Sequence, residues 1–531
     1  MKPLISPKNM RECELAYFAT GAAKSIDVME RAAQALADAI CAEIPAGSSV
    51  WFACGTGGNG GDGAACARIL HERYRCAIIQ PREPKHPDAI ENLRRARECG
   101  VPVLNEAPED APAAWVDTLF GTGLSRAPEG AEAALILRMN GDRSHGARIF
   151  AADIPSGLDG AAGRAFEPCV RAGRTVTFQY MKTGLTLADG LDCCGEITAA
   201  DVGFPPSAFP ENRFDGLLVE SGDPARLIPS RPRNIHKGNC GHLLIVAGSF
   251  GMAGAAAMCA SAALRSGAGL VTVACVRSIV PILQTLVPQA MCVPLAESDG
   301  AISTEALPAL ASALKGRSAV VIGPGLTRRA PADAVRLVLE SGLPAVVDAD
   351  ALNLLANNPH LLALLRPQHV ITPHPGEAAR LLESAALFDR LRAESDNAPE
   401  ALSAAVSYAC SSCGLSSPAL PGDPLAVARR LSDLGATALY KGASSVICGQ
   451  DKAVYVSRSG CCGMARGGSG DILSGILGAL LAERSERTPA LTAAVASELH
   501  GLAGELAQQK YGSRAMNARD ILEFLPDVMP R

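Results

Sequence analysis

The chain has 531 residues, more than one compact core usually holds, so at least two domains are expected. Hydrophobic residues make up 48% and charged residues 19%, with 49 basic and 54 acidic side chains and a formal charge of −5. This balance excludes a mostly disordered chain and gives no general attraction to nucleic acid or to an anionic membrane. We therefore expect small-molecule partners.

Cysteine usage and hydropathy point to a reducing compartment. The 18 cysteines are irregularly spaced, and the first 15 residues contain no apolar signal core, so no disulfide framework is indicated. The CxxC from Cys410 to Cys413 has no second pair and is interpreted as loop rather than as a zinc site. The longest apolar run, Met252 to Val276, is interrupted by Arg265 and does not indicate a membrane span. We predict a cytoplasmic homo-oligomer.

The first 210 residues alternate helical and strand-like patterns. Apolar residues recur at helical spacing from Ile26 to Ile40, and β-branched or aromatic runs follow at 50–54, 77–80, 148–154 and 174–180. Such alternation is typical of a parallel, doubly wound α/β sheet.

A second α/β region follows a break in this pattern. Residues 211–235 are rich in proline and arginine, which predicts a first domain at 1–215, a linker at 216–235 and a second domain at 236–531. Strand-like runs resume at 242–248, 269–276, 319–325, 345–351 and 369–377. Residues 385–423, rich in Ser, Ala and Pro, are interpreted as an inserted, partly mobile loop. The predicted architecture is two doubly wound α/β domains.

Polar groups follow three strands of the first domain. The segment GNGGDG at 58–63 follows one strand and opens an Ala-rich helix, a geometry whose free N–H groups bind anions. Two further strand ends carry Asp117 and Asp153, the latter followed by Ser156. Together with Asn59, these oxygen-bearing groups suit a cation and a polar substrate. Structural turns and helix caps are the alternative interpretation.

This half resembles the NAD(P)HX epimerase family over nearly all of residues 10–210. The matching stretches are MERAA (29–33), GNGGDG (58–63), DTLFGTGL (117–124), AADIPSGLDG (151–160), TVTF (175–178), MKTGL (181–185) and ADVGFP (200–205). The resemblance implies a Rossmann-like epimerase domain with K⁺ held by Asn59, Asp117 and Ser156. It implies substrate contacts at Gly58, Asn59, Gly60, Gly61, Asp62, Gly121, Thr122, Gly123, Leu124, Ser125, Arg126, Ala127 and Asp153. We take Asp153 as the candidate catalytic residue for proton exchange.

The second domain carries a glycine loop at 467–471, GGSGD, directly before an apolar helix. Its amides would face an anion, and Asp471 would lie where phosphate charge develops and could deprotonate an attacking hydroxyl. A helix N-cap is the alternative for Asp471, with Ser469 also available as a cap. Asp350 is open to both interpretations. His374 lies between two prolines, a segment too stiff and polar to fill a core, which favours a functional role.

This half resembles the ADP-dependent NAD(P)HX dehydratase family, a branch of the ribokinase-like fold, over about 225–525. Its motifs occur in the family's order: HKGNCG (236–241), AGSFGMAGA (247–255), ALRSGAGLVT (263–272), GPGL (323–326), VDADALN (347–353), TPHPGE (372–377), KGA (441–443) and GMARGGSGD (463–471). The resemblance implies ADP contacts at Lys441, Gly442, Ala443, Ser444, Ser445 and Gly470. It implies hydrated-nicotinamide contacts at Ala255, Gly325, His374 and Asp471, with Asp471 as catalytic base. Mg²⁺ is expected to bridge the phosphates, although no protein ligand is identifiable.

The chain departs from the family pattern at several positions. Cys461 and Cys462 stand where Asn-Pro or Asn-Ser is usual, Arg466 replaces Thr or Ser, Thr327 replaces glycine, and Gln289 replaces an acidic residue. Asp471 and its glycine loop are intact, so an active dehydratase is still expected.

The combined hypothesis is a bifunctional repair enzyme for NADH or NADPH that has taken up water. One half would interconvert the R and S epimers, and the other would dehydrate the S epimer at the expense of ADP. The alternative is a ribokinase-like small-molecule kinase fused to a non-catalytic nucleotide-binding module. The preference between hydrated NADH and hydrated NADPH, and between ADP and ATP, is left open.

Overall fold

The computed structural model describes residues 1–394, 406, 422–483 and 485–530. The chain forms two compact units, Lys2–Leu217 and Leu218–Arg531, with Met1 grouped in the second. The segment 216–235, suggested as a linker, contains a strand at Gly216–Leu218 and a helix at Asp223–Leu227. None of the helices in the described ranges is long and apolar enough to cross a membrane. The CxxC at Cys410 to Cys413 lies outside the described residues.

The first unit is built on a seven-stranded parallel sheet. The unit's strands are β1 (Lys2–Ile5), β2 (Ser49–Cys54), β3 (Arg75–Ile79), β4 (Val103–Leu104), β5 (Ala114–Thr118), β6 (Arg148–Ala152), β7 (Arg174–Phe178), β8 (Met181–Lys182) and β9 (Glu196–Ala200). The α-helices are Pro7–Ala19, Ser25–Glu43, Gly58–Leu70, Pro87–Glu98, Gly130–Ser144 and Gly190–Cys193.

The order of strands in this sheet determines where a ligand can bind. It reads β4-β3-β2-β5-β6-β7-β9, and each neighbouring pair is parallel. The chain leaves β2 toward β3 and β4, then resumes on the opposite side with β5. The carboxyl ends of β2 and β5 therefore form the topological switch point, where open α/β sheets bind ligands.

Both faces of this sheet are covered, which explains the continuous apolar runs of its strands. Val50 and Phe52 belong to the core on one face, whereas Trp51 and Ala53 belong to the core on the other. Trp51 packs edge-on against Trp115, with ring centroids 5.3 Å apart. The predicted doubly wound arrangement of the first half is confirmed.

The second unit also contains a largely parallel sheet. Its strands, beginning with one at the boundary, are β10 (Gly216–Leu218), β11 (His242–Val246), β12 (Leu270–Val276), β13 (Met291–Leu295), β14 (Glu297–Ser298), β15 (Ala301–Ile302), β16 (Ala319–Ile322), β17 (Ala345–Val347), β18 (His369–Ile371), β19 (Thr437–Tyr440), β20 (Ser445–Cys448) and β21 (Val454–Ser457). The order β13-β12-β11-β16-β17-β18-β19 is parallel, and β20 and β21 continue it antiparallel. Its switch point lies between β11 and β16.

Helices flank this sheet and supply most of the buried alanines. The α-helices are Asp223–Leu227, Ala253–Arg265, Val280–Leu286, Leu307–Leu314, Ala332–Glu340, Asp350–Asn357, Pro375–Glu394, Pro424–Ser432, Ser469–Ala482, Pro489–Tyr511 and Ala518–Val528. The prediction of a loop from residue 385 is wrong for 385–394, which continue the helix begun at Pro375. Alanine favours helix, and Phe388 is buried there beside Val406. The Ser, Ala and Pro content therefore did not indicate a loop in this part of the segment.

Candidate active sites

The GNGGDG loop begins its helix at the carboxyl end of β2, as predicted. Glycine is required there by close packing, because a Cβ at Gly60 would lie 2.1 Å from the carbonyl oxygen of Gly55. A Cβ at Gly61 would lie 2.6 Å from Sδ of Met29. The helix has no side-chain cap, so its first amide groups are available to an anion.

Asn59, Asp117 and Ser156 converge at the switch point. Ser156 Oγ donates to Asp117 Oδ1 at 2.6 Å, and its amide donates to Asp117 Oδ2 at 2.7 Å. Asn59 Nδ2 donates to the carbonyl oxygens of Phe120 at 2.8 Å and Ala152 at 3.3 Å. Asn59 Oδ1 is buried and has no hydrogen-bond partner. Burial raises the pKa of Asp117 to about 6, against hydrogen bonds from Ser156 that lower it. The arrangement fits a cation held by oxygen atoms.

Asp153 pairs with a lysine to which the sequence assigned no role. Lys182 is buried, and its Nζ donates to Asp153 Oδ1 at 2.6 Å, to the Phe178 carbonyl at 2.8 Å and to Thr177 Oγ1 at 3.2 Å. These three bonds use every proton of the ammonium group. Asp153 itself has a φ of 62°, in the left-handed region that non-glycine residues rarely adopt. The carboxylate is thus fixed at the end of β6.

Two further carboxyl groups lie in the electrostatic field of this pair. Burial raises the pKa of Glu14, on the helix Pro7–Ala19, to about 7, with Lys182 lowering it and Asp153 raising it. Burial also raises the pKa of Asp62 well above its usual value, and Asp153 and Glu14 add to that shift. Sequence reasoning missed Glu14, because nothing in its local pattern distinguishes it from a surface glutamate.

The loop 121–127 follows β5 and is only partly tied to this site. A Cβ at Gly121 would lie 3.4 Å from Cβ of Asn59, so this end of the loop is adjacent to the oxygen cluster. Leu124 donates its amide to the Gly121 carbonyl at 3.3 Å. Gly123, Ser125 and Arg126 are exposed. The predicted substrate contacts from Thr122 to Ala127 stay predictions.

In the second unit, Asp348 fixes Lys441. Lys441 Nζ donates to Asp348 Oδ1 at 2.7 Å, and Thr372 Oγ1 and Ser474 Oγ donate to the two oxygens of the same carboxylate. Burial would raise the pKa of Asp348, but Lys441 and these hydroxyls hold it below its usual value. A Cβ at Gly470 would lie 3.6 Å from Lys441 Nζ and 4.0 Å from Asp348 Oδ2. The predicted Lys441 and Gly470 are therefore adjacent.

Asp471 is not a helix cap. The helix Ser469–Ala482 has no side-chain cap bond, and no group in the described part of the chain donates a hydrogen bond to the Asp471 carboxyl. Burial raises its pKa to about 7, and the neighbouring Asp348 adds to this while Lys441 opposes it. A carboxyl group that changes charge near neutral pH is suited to general base chemistry.

Ser469 does not cap this helix either. Its Oγ lies 3.3 Å from Nε2 of His500, a buried imidazole on the helix Pro489–Tyr511. Burial lowers the pKa of His500 to about 4, so the ring is neutral. Gly468, with a φ of 98°, makes the turn into the helix.

His374 combines a structural contact with an exposed position. Its Nδ1 accepts a hydrogen bond from the Gly376 amide at 3.0 Å, at the start of the helix Pro375–Glu394. Its amide donates to Glu377 Oε2 at 3.0 Å, and its ring is about half exposed. Burial, followed by Lys441 and Arg380, lowers the pKa of His374. Its predicted contact with substrate stays a prediction.

Gly325 and Ala255 lie side by side across the switch point. Gly325 has a φ of 62°, and a Cβ there would lie 3.0 Å from Cβ of Ala255. Asp350 Oδ2 accepts from the amide of Thr327 at 2.9 Å, so Asp350 stabilises the GPGLT turn. Thr327, which replaces the family's glycine, has a φ of 67°. Glycine would adopt this conformation without strain.

Five of the six predicted ADP contacts, residues 441–445, span the turn from the end of β19 to the start of β20. The amide of Lys441 donates to the carbonyl of Pro373 at 3.0 Å, which joins this turn to the TPHPGE loop. Gly442 and Ala443 are exposed, Ser444 is buried, and Ser445 begins β20. Four motif loops thus converge around Lys441 at the carboxyl ends of the parallel strands: KGA, TPHPGE, VDADALN and GMARGGSGD.

Two family models match the chain. The one described as NAD(P)H-hydrate dehydratase matches residues 243–527, and the one described as YjeF-related protein N-terminus matches residues 25–184. A bifunctional NAD(P)H-hydrate repair enzyme of Moorella thermoacetica is 36% identical, covering 90% of this chain and 86% of its own. The chain belongs to the family of bifunctional NAD(P)H-hydrate repair enzymes.

Other repair enzymes match over similar lengths. The enzyme of Coxiella burnetii is 33% identical over 99% of both chains, and that of Escherichia coli is 34% identical over 95% of this chain and 89% of its own. Among solved structures, a ribokinase-like superfamily protein of Enterococcus faecalis covers 59% of this chain and 95% of its own at 24% identity and a TM-score of 0.46. The ADP/ATP-dependent NAD(P)H-hydrate dehydratase of Bacillus subtilis, crystallised with ATP and Mg²⁺, covers 59% and 97% at 22% identity and a TM-score of 0.42.

Membership in the repair enzyme family confirms the resemblances stated for both halves and the bifunctional interpretation. The departures at Cys461 and Arg466 are accommodated locally. Cys461 Sγ lies 3.3 Å from the carbonyl of Gly504, and Arg466 donates to the carbonyl of Arg514 at 2.5 Å.

Proposed function

We propose that this chain repairs hydrated NADH and NADPH in two steps, one in each unit. The first unit interconverts the R and S epimers, and the second removes water from the S epimer at the expense of ADP. The observation that carries the proposal is Asp471, a carboxyl group without a hydrogen-bond donor, adjacent to the Lys441 ammonium and at the start of a helix with free amides. This combination is suited to moving a phosphoryl group onto a hydroxyl.

The dehydration follows from leaving-group chemistry. Asp471 removes the proton from the substrate hydroxyl, and the oxygen forms a bond to the β-phosphorus of ADP while the bond to the α-phosphate oxygen breaks. The ring nitrogen then expels the phosphorylated oxygen as inorganic phosphate, and loss of a ring proton restores the dihydronicotinamide. The balance is hydrated dinucleotide plus ADP giving dinucleotide, AMP and phosphate. Lys441 binds the negatively charged phosphates of the nucleotide. The nucleotide site is completed by Gly442, Ala443, Ser444, Ser445 and Gly470.

The same nitrogen lone pair accounts for epimerisation. It expels the hydroxyl as water once the hydroxyl is protonated, and water adds to the other face of the resulting iminium. Asp153 exchanges the proton with that water, because Lys182 and β6 fix its carboxylate in place. The amides that begin the helix Gly58–Leu70 and the loop at 121–127 bind the remainder of the dinucleotide.

We propose K⁺ as the cation of the first unit. Asn59 Oδ1, the carboxylate of Asp117 and Ser156 Oγ would hold it, because one carboxylate among neutral oxygens suits a large monovalent cation. When bound, the ion would supply positive charge that attracts the anionic substrate. Replacement of K⁺ by Li⁺ is expected to lower epimerisation and leave dehydration of the S epimer unchanged.

Mg²⁺ is proposed for the second unit, held mainly by phosphate oxygens. In the ranges that the structure describes, no three His, Cys, Asp or Glu side chains converge to form a metal cage. Mg²⁺ commonly retains several waters and binds through substrate phosphates, which fits this donor set. The ion would neutralise charge on the transferring phosphoryl group.

The function is tested on the intact chain with separated R and S hydrates, ADP and Mg²⁺. The recovery of dihydronicotinamide absorbance is followed against a protein-free control. We expect the unaltered chain to restore the dihydronicotinamide from both epimers, Asp153→Ala to restore it from the S epimer alone, and Asp471→Ala to restore it from neither. Unchanged turnover in Asp471→Ala would contradict the dehydratase site, and a phosphorylated product that accumulates with ATP would favour a kinase.

Two expectations from the sequence accompany this function. The cysteines of the described residues are free thiols, which is compatible with the reducing, cytoplasmic compartment that we propose. We also propose a homo-oligomer, to be measured by analytical ultracentrifugation. A single species at the mass of one chain would contradict it.

A further inference from the structure

Two arginines lie beside the dehydratase loops and contact one amide oxygen. Asn353, buried on the helix Asp350–Asn357, presents Oδ1 to Arg380 Nε at 3.1 Å and to Arg328 Nη2 at 3.5 Å. The two arginines come from different segments. Arg328 directly follows the GPGLT turn, and Arg380 lies on the helix Pro375–Glu394, which begins within TPHPGE. Both side chains are otherwise exposed.

Neither guanidinium is in direct contact with a carboxylate in the described part of the chain, and Arg380 acts on Glu377 only through the electrostatic field. The ion pair of this region joins Lys441 to Asp348, and Glu377 Oε1 lies 3.4 Å from Nε2 of His374, whose pKa is lowered by burial. Among the described residues, no carboxylate oxygen lies within 4.0 Å of either guanidinium. Two cations that share a single neutral acceptor repel one another, and an anion bound between them would offset that repulsion.

The neighbouring carboxylates are already occupied by other donors. Asp350 Oδ2 accepts from the Thr327 amide, and Glu377 Oε2 accepts from the His374 amide. Thr327 adds an independent sign of a missing partner, because its Oγ1 is buried and has no hydrogen bond. The region therefore offers two guanidinium groups and one free hydroxyl.

This cluster adjoins the proposed substrate contacts. Thr327 is two residues beyond Gly325, and a Cβ at Gly376 would lie 3.0 Å from His374 Cε1 and 3.6 Å from Arg380 Nη1. The imidazole and the guanidinium thus flank the same glycine. ADP is assigned to the Lys441 turn, which leaves this cluster to the other substrate.

We propose that Arg328 and Arg380 form a phosphate subsite that binds the hydrated dinucleotide in the second unit. Guanidinium groups match phosphate oxygens in charge and in hydrogen-bond geometry. The phosphate is either the 2′-phosphate that only the hydrated NADPH carries or the diphosphate bridge that both hydrates share. The proposal rests on the proposed dehydratase function and adds a determinant of specificity to it.

The test measures dehydration of the S epimers of hydrated NADH and hydrated NADPH at saturating ADP and Mg²⁺. Arg328→Gln and Arg380→Gln are each expected to raise KM for the hydrate about tenfold to a hundredfold, with a much smaller fall in kcat. A rise confined to hydrated NADPH identifies the 2′-phosphate, and an equal rise for both identifies the diphosphate. Arg329→Gln is the matched control, since this exposed neighbour makes no contact with Asn353 and its KM should be unchanged.

Two results would overturn the subsite. One is an unchanged KM for both hydrates in the Arg328→Gln/Arg380→Gln double variant, with circular dichroism like that of the unaltered chain. The other is a rise in KM for ADP alone. Binding of both hydrates to Asp471→Asn, measured by calorimetry with and without the arginine substitutions, separates the two proposals, because the subsite can hold even where Asp471 proves not to be the base.

Discussion

At the scale of single residues, Lys182 is the buried side chain that most needs hydrogen-bond partners. Its ammonium group lies in the interior of the first unit. It is stable there because Asp153 and two further oxygen atoms accept its three hydrogen bonds. The motif that contains Lys182 was visible in the sequence, but its partner is 29 residues away. Only the fold of β6, β7 and β8 brings the two together.

Removing this ammonium should destabilise the first unit. Lys182→Met leaves a buried carboxylate without its partner, which costs about 3–5 kcal/mol of unfolding free energy. Adding Asp153→Asn removes that unpaired charge, so the double variant should recover much of the stability but no epimerase activity. Urea denaturation measures the stability of both variants, with the exposed Lys24→Met as control, and conversion of the R epimer measures the activity. A double variant that is less stable than Lys182→Met would contradict this account of the pair.

Asp471 makes the stability of the second unit depend on pH. The unfolded carboxyl releases its proton near 3.8, whereas the folded pKa is about 7, so stability falls as pH rises through this window. At pH 8, Asp471→Asn should therefore be more stable than the unaltered chain by about 1–3 kcal/mol, discounted for partial exposure. At pH 4 most of the difference should disappear, since the folded Asp471 carboxyl is then neutral, like the amide of Asn. Thermal melting at the two pH values measures this; an equal gain at both would implicate packing instead.

At the scale of elements, the parallel strands could be predicted because both faces are buried and the runs are continuously apolar. The edge strand β13 gave no such signal, since it is half exposed and contains Pro294. The antiparallel strands β20 and β21 are short, with four residues each, and were also missed. The site followed from glycine loops at strand ends, whereas Glu14 and Asn353 acquire their neighbours only through tertiary packing.

One close approach between helices sets a limit on side-chain size in the second unit. Gly475 of the helix Ser469–Ala482 meets the helix Ala253–Arg265 so closely that a Cβ would lie 2.2 Å from the carbonyl oxygen of Cys259. Gly475→Ala should therefore lower stability by about 1–3 kcal/mol through overpacking. Gly254→Ala is the control on the partner helix, with nothing within 4 Å of the new methyl, and should be neutral or slightly stabilising. Chemical denaturation of both variants measures the difference; equal effects would contradict the packing argument.

At the scale of the whole molecule, two sites of the same topological kind serve successive reactions. Each unit has its own hydrophobic core, and each places its motif loops at the carboxyl ends of its own parallel strands. Because each site is built from the loops of its own unit, we expect each activity to survive the loss of its counterpart.

This independence predicts complementation between two chains that each lack one activity. Asp153→Asn cannot convert the R epimer, and Asp471→Asn interconverts R and S but cannot dehydrate either, so neither variant alone should turn R into the dihydronicotinamide. An equimolar mixture should do so, because the S epimer formed on one chain can diffuse to a second unit on another. The dihydronicotinamide absorbance recovered from R is measured, with the unaltered chain at half the total concentration setting the reference rate. A mixture that recovers none of it would mean that the intermediate must pass between the two units of a single chain.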